Sequence, residues 1–197
     1  RPALGLVVRT TTNLTAVRPV DDPGWDYVGQ RANASVVYLG DRWVLTASHV
    51  GTGRSTKFLG EVFRHEPGDG IQLKNPLGHG LSEEADLKLF RLESEPDLPP
   101  LSISAIPPPI GSEVTMIGNG GIRQGDLVFW DADWNEPPES PVAYSGFKVG
   151  AQEKRWGTNR IVESFALTSG NGDVLSFRSS FDNFPFGHEA QAAGGDS

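Results

Sequence analysis

The sequence predicts an all-β protein, and three observations carry the prediction. Glycine and proline are both abundant, at 24 and 15 of 197 residues, so the chain turns often. Short apolar runs rich in Val, Leu and Phe lie between the turn signals. No long stripe of apolar residues at i, i+3 and i+4 survives, because Gly or Pro interrupts most windows. Short strands separated by frequent turns are the pattern of a sandwich or barrel.

The runs follow in order. Ala34 to Leu39 reads as a strand, Gly40-Asp41 as a turn and Trp43 to Thr46 as the returning strand, which together make a hairpin. Pro67-Gly68-Asp69-Gly70 reads as an ordinary turn. Leu87 to Leu92 mixes apolar and basic residues, as a partly exposed strand does, and Glu113 to Ile117 reads as a short strand ended by Gly118. Ile161 to Leu167 and Val174 to Phe177 flank Ser169-Gly170-Asn171-Gly172, a second hairpin signal. Between these groups, Glu95 to Pro100 and Pro107 to Pro109 form a proline-rich connector. Proline cannot donate to a strand ladder, so this segment is expected to be extended and on the surface. It divides the chain into two β-rich halves, 1–105 and 106–197.

Composition narrows the function classes. A net charge of −8, with no cluster of Lys and Arg, argues against a nucleic-acid interface. The absence of cysteine excludes disulfides and Cys-based zinc sites. No apolar run approaches the roughly 20 residues that span a bilayer, so no membrane span is expected. Arg1-Pro2-Ala3 is not a signal peptide. Asn13-Leu14-Thr15 and Asn33-Ala34-Ser35 match the glycosylation triplet, a pattern common by chance.

Three local patterns carry chemistry. Trp43-Val44-Leu45-Thr46-Ala47-Ser48-His49 is a strand that ends in small residues and then presents an imidazole, as a general base requires. Glu84-Ala85-Asp86-Leu87-Lys88-Leu89 sets an aspartate just before an apolar run. There it can accept a hydrogen bond from the histidine's far nitrogen and fix the ring's tautomer. Gly194-Gly195-Asp196-Ser197 offers a hydroxyl that needs a base to become a nucleophile, on a backbone flexible enough to aim amides at one spot. Read singly, each has a plainer meaning: a surface histidine, a strand-start aspartate and a loop. Asp131 and Asp133 have calcium-loop spacing without the rest of that motif, and no metal site is expected. The aromatics of Trp130-Asp131-Ala132-Asp133-Trp134-Asn135 read as packing residues before ligand contacts. His65, His79 and His188 have no partner pattern.

In this order, histidine, aspartate, serine, the chain resembles the trypsin/chymotrypsin-like serine proteases. Thr46-Ala47-Ser48-His49 is similar to the family's Thr-Ala-Ala-His, Asp86-Leu87-Lys88-Leu89 to its Asp-Ile-Ala-Leu, and Gly195-Asp196-Ser197 to the start of its Gly-Asp-Ser-Gly-Gly. Met116-Ile117-Gly118-Asn119-Gly120 stands where the family often has Gly-Trp-Gly, and the resemblance runs roughly from Val28 to Ser197.

The resemblance implies two antiparallel β-barrels with the site in the crevice between them. His49 and Asp86 would come from the first and Ser197 from the second, which would be incomplete because the chain ends at Ser197. It implies a serine endopeptidase with His49, Asp86 and Ser197 as triad, the amides of Gly195 and Ser197 as oxyanion hole, and Gln191 at the base of the substrate pocket. No carboxylate stands at that pocket base, so a preference for Arg or Lys is not expected. Arg1-Pro2 does not match the family's inward-folding N-terminus. The implied partner is a protein or peptide substrate, with no cofactor, no metal and no nucleic acid. A second chain could supply the residues that follow the serine, and the setting would be secreted or periplasmic. Two other readings compete: a catalytically inactive binding module of the same fold, and an unrelated β-sandwich in which the motifs are accidental. Geometry separates the last, because accidental motifs would be scattered.

Overall fold

In a computed structural model the described residues are 6–8, 13–78, 82–168, 173–179 and 192–194. They are mostly β, with antiparallel sheets, and the only helical pieces among them are short 3₁₀ turns. The expected all-β class therefore holds. Neither sheet closes into a barrel among the described residues.

The first sheet has seven strands. They are β2 (Val28–Arg31), β3 (Ala34–Gly40), β4 (Trp43–Thr46), β5 (Ser55–Phe58), β6 (Glu61–Arg64), β7 (Ile71–Lys74) and β8 (Glu84–Arg91). Their order in space is β6-β5-β2-β3-β4-β8-β7. The expected hairpin is β3–β4, with Val37 opposite Leu45 and Tyr38 opposite Val44. Its turn residues Asp41 and Arg42 both have positive φ, 48° and 67°, as a two-residue turn matched to the strand twist requires.

Alternation sets the inner face. Val36 and Tyr38 of β3, Val44 of β4, Phe58 of β5, Phe63 of β6, and Phe90 and Leu92 at the end of β8 form one buried cluster. Each such side chain contributes roughly 1.5–3 kcal/mol by leaving water. The sheet curls around this cluster. Beyond β6 and β8, His65 and Leu92 form a bridge. Glu66 N–H donates to Arg91 O (2.9 Å) and Glu93 N–H to Arg64 O (2.8 Å).

The second sheet contains β1 (Leu6–Val8), β9 (Glu113–Trp130), β10 (Tyr144–Val149), β11 (Glu153–Thr168), β12 (Val174–Ser179) and β13 (Ala192–Gly194). Its order is β12-β11-β9-β1-β13, with β10 also on β9. All pairs are antiparallel except β1 with β9. Strands β11 and β12 pair as the sequence suggested, and their linking turn lies outside the described residues.

Several strand boundaries differ from expectation, among them the start of β11 at Glu153 rather than Ile161, where β9 pairs with it from Gly120 to Glu113. β9 does not stop at Gly118 but runs through Gly120 and Gly121, because β1 and β11 both pair with it there. At Gly121 a Cβ would fall 2.2 Å from Val149 Cγ1, so the close approach of β10 needs a glycine. β8 begins at Glu84, ahead of the apolar run, because β7 pairs with it from Lys74 opposite Glu84.

Residues 93 to 112 form no strand. Within them Leu101 N–H donates to Leu39 O, and Leu98 packs on the first core. Polar bonds join the two sheets. Asn119 N–H donates to Ser35 Oγ (2.7 Å), Gln30 Nε2 to Asn119 Oδ1 (3.3 Å) and Lys154 Nζ to Val28 O (2.8 Å). Among the described residues no helix is long and apolar enough to cross a membrane.

Candidate active site

β4 delivers His49. The strand ends at Thr46, Ala47 continues extended, and Ser48–Val50 closes a 3₁₀ turn through Val50 N–H to Ala47 O (3.2 Å) and Gly51 N–H to Ser48 O (3.0 Å). Gly51 follows at φ 71°, a conformation that L side chains rarely adopt. The Arg31 guanidinium reaches across from β2. Its Nη1 donates to Val50 O (2.6 Å) and to Gly51 O, satisfying the carbonyls at the turn's end. Gly53, at φ 64°, leaves room for that guanidinium, since a Cβ there would lie 2.4 Å from Arg31 Nε.

β8 delivers Asp86. Its carboxylate meets His49 twice: Oδ2 lies 2.6 Å from the ring Nδ1, and Oδ1 accepts the backbone N–H of His49 at 2.9 Å. One carboxylate thus holds both the ring and the backbone of one histidine. With Nδ1 engaged by an acceptor-only group, the neutral ring carries its proton on Nδ1 and leaves Nε2 as the basic nitrogen. The aspartate side chain is 16 % exposed and the histidine 26 %, so the acid sits behind the base.

His49 and Asp86, 37 positions apart in sequence and both expected at the site, are thus brought into direct contact by the fold. Ser197, Gly195 and Gln191 lie outside the described residues, as do His79 and His188. β13 ends at Gly194, alongside β1. His65 is buried, with Thr56 Oγ1 2.7 Å from its Nε2 and the Phe90 ring packed against it. It is a core histidine whose pKa burial pushes below 6.5.

Asp131 is not a cation ligand in waiting. Its carboxylate accepts the N–H groups of Asp133 and Asn135 (3.0 Å each) and of Glu139 (3.1 Å), and also Asn135 Nδ2 (3.1 Å). These donors, the Asn135 amide foremost, hold its pKa down at about 2. Trp134 and Tyr144 stack beside it with centroids 4.4 Å apart. No group of three His, Cys, Asp or Glu among the described residues could hold a metal ion.

Two supporting residues escape the motif reading. Arg31 lies in a strand with no local signal for a distant carbonyl. Gln72 lies in Ile71-Gln72-Leu73-Lys74, whose alternation is too short to stand out. Comparison with protein-family models, with curated proteins and with solved structures gives no match.

Proposed function

We propose that the protein is a serine endopeptidase that cleaves peptide bonds through an acyl-enzyme, with His49 as base, Asp86 as its orienting acid and Ser197 as nucleophile. The observation that carries this reading is the double hydrogen bond between Asp86 and His49. An incidental surface pair has no need for a carboxylate that holds both ring and backbone. The curl of the first sheet, which brings β6 and β8 together at the His65–Leu92 bridge, is what the first barrel of the architecture that goes with the reading calls for.

In the proposed reaction, Ser197 Oγ bonds to the scissile carbonyl carbon as its proton passes to His49 Nε2. The carbonyl oxygen becomes an oxyanion facing the amides of Gly195 and Ser197, where one donor is worth about 3 kcal/mol. The C–N bond then breaks and the proton moves from His49 to the leaving amine. Water repeats the sequence on the acyl-enzyme, releasing the acid and restoring Ser197. Asp86 stays ionised and stabilises the imidazolium in both halves.

Treatment of the full-length protein with a fluorophosphonate probe, followed by intact mass measurement, tests this. One adduct is expected, and none on Ser197→Ala. A wild-type protein that takes up no probe would overturn the reading in favour of a non-catalytic binding module.

A further inference from the structure

We propose that Gln72 is a positioning residue that braces Asp86 and His49 together and so sets the tautomer of the histidine ring. The inference rests on the endopeptidase reading only for its consequence in catalysis; the brace itself is a matter of geometry.

The need for a brace comes from the strand pairing. β7 and β8 are in register at Gln72 opposite Lys88 and again at Lys74 opposite Glu84. Between these points Leu73 alone faces Ala85, Asp86 and Leu87. Such a bulge interrupts the ladder and re-aims the side chains it carries. Burial shows the same switch: Ala85 and Phe90 both face inward although they differ in parity along the strand. Asp86 is at the centre of the irregularity.

Gln72 fills the gap. Its Nε2 donates to Ala85 O and to Leu87 O (3.1 Å), the carbonyls on either side of Asp86, with Leu73 O further away at 3.3 Å. Carbonyl oxygens only accept, so the amide nitrogen must be the end that faces them. That leaves Oε1 to accept the hydroxyl of Ser48, which directly precedes His49. One side chain therefore ties the backbone around the acid to the residue before the base. The neutral imidazole of a free histidine favours the proton on Nε2, whereas an acceptor at Nδ1 imposes the opposite tautomer. Holding the Asp86 carboxylate at Nδ1 thus keeps Nε2 free to take a proton, and Gln72 holds the backbone from which Asp86 reaches.

Two-bond nitrogen–proton correlation spectra of the ring-labelled full-length protein, recorded where His49 is neutral, read the tautomer directly. The wild type is expected to show Nδ1–H. Gln72→Met, similar in shape but without the hydrogen bonds, is expected to shift a large share of His49 to Nε2–H. Its fluorophosphonate labelling is expected to slow by about 10²-fold, the scale of an ångström-level misplacement. Ser48→Ala, which cuts only one leg of the brace, is expected to show a smaller shift, and Ser48→Thr to restore the wild-type spectrum.

A folded Gln72→Met protein that keeps Nδ1–H overturns the proposal, since Gln72 would then merely plug the bulge. If that variant does not fold, a Ser48→Ala spectrum identical to wild type overturns it instead. The two readings fail separately. Wild type without an adduct but with a Gln72-dependent tautomer sinks the endopeptidase and leaves the brace. An adduct with a Gln72-independent tautomer does the reverse.

Discussion

At the scale of single residues, the chain sorts its ionisable groups by what surrounds them. Asp86 and His49 face each other near the surface, where an outside group can reach the ring. Asp131 is enclosed by four donors and has nothing left to offer a ligand. His65 illustrates burial without a charged partner, and burial favours its neutral form. Because its folded-state pKa lies below the ordinary 6.5, the unfolded chain binds the proton first as pH falls. The stability contributed by neutral His65 is therefore complete above about pH 6.5 and is lost from there down toward the folded-state value. Urea unfolding followed between pH 7.5 and pH 5 should show a loss with a slope of up to about 1.4 kcal/mol per pH unit from this group. His65→Gln should flatten that part of the profile, and an unchanged slope would assign it to other groups.

At the scale of elements, two devices place side chains that strand pairing alone would not. The bulge in β8 turns Asp86 toward the end of β4. The turn after β4 depends on two glycines and on Arg31 from another strand. A third device is the connection between β9 and β10, where the Asp131 carboxylate replaces the ladder as partner for three backbone amides. Asp131→Ala should leave both sheets intact and speed amide hydrogen exchange at Asp133, Asn135 and Glu139 by tenfold or more, since each lost bond to the charged carboxylate is worth about 1.5 kcal/mol or more. Exchange that stays slow at these amides would mean that the Trp134–Tyr144 stack, rather than the carboxylate, holds the loop.

At the scale of the whole molecule, the two sheets meet through polar groups, and Asn119 is central. It is almost fully buried, and its N–H relies on Ser35 Oγ. Ser35→Ala would leave that N–H without its partner, at a cost of about 1–3 kcal/mol. The measurement is the shift in urea midpoint against wild type. A midpoint unchanged within error would show that the contact between the sheets adds nothing to stability. A second polar contact involves residues just ahead of β8: Ser82 N–H donates to Asp173 Oδ2 (2.8 Å), Asp173 N–H to Ser82 Oγ (3.0 Å) and Asn75 Nδ2 to Asp173 O (2.7 Å). The segment leading into β8 is thereby fastened to the second sheet, so the placement of the acid depends on both halves of the chain.

Several features could be read from the linear order of residues. The all-β class followed from turn frequency and the lack of helical periodicity, the β3–β4 hairpin from Gly40-Asp41 between two apolar runs, and the pairing of β11 with β12 from Ser169 to Gly172. The nomination of His49 and Asp86 as partners came from three motifs, around His49, Asp86 and Ser197, in the order that resembles the trypsin/chymotrypsin-like proteases. All of these depend on neighbours within a few positions, which is the range over which propensity and turn chemistry act. The length of β9, the parallel place of β1 beside it, the start of β8 and the roles of Arg31 and Gln72 did not follow. Each depends on a partner far along the chain whose pairing overrides a local signal: glycines that would end a strand are kept in it by two neighbours, and an undistinguished glutamine is set opposite a bulge. Residue chemistry determined what His49 and Asp86 could do for each other; only the pairing of β4 with β8, which sets Thr46 at the end of β4 opposite Lys88 near the start of β8, decided that they touch.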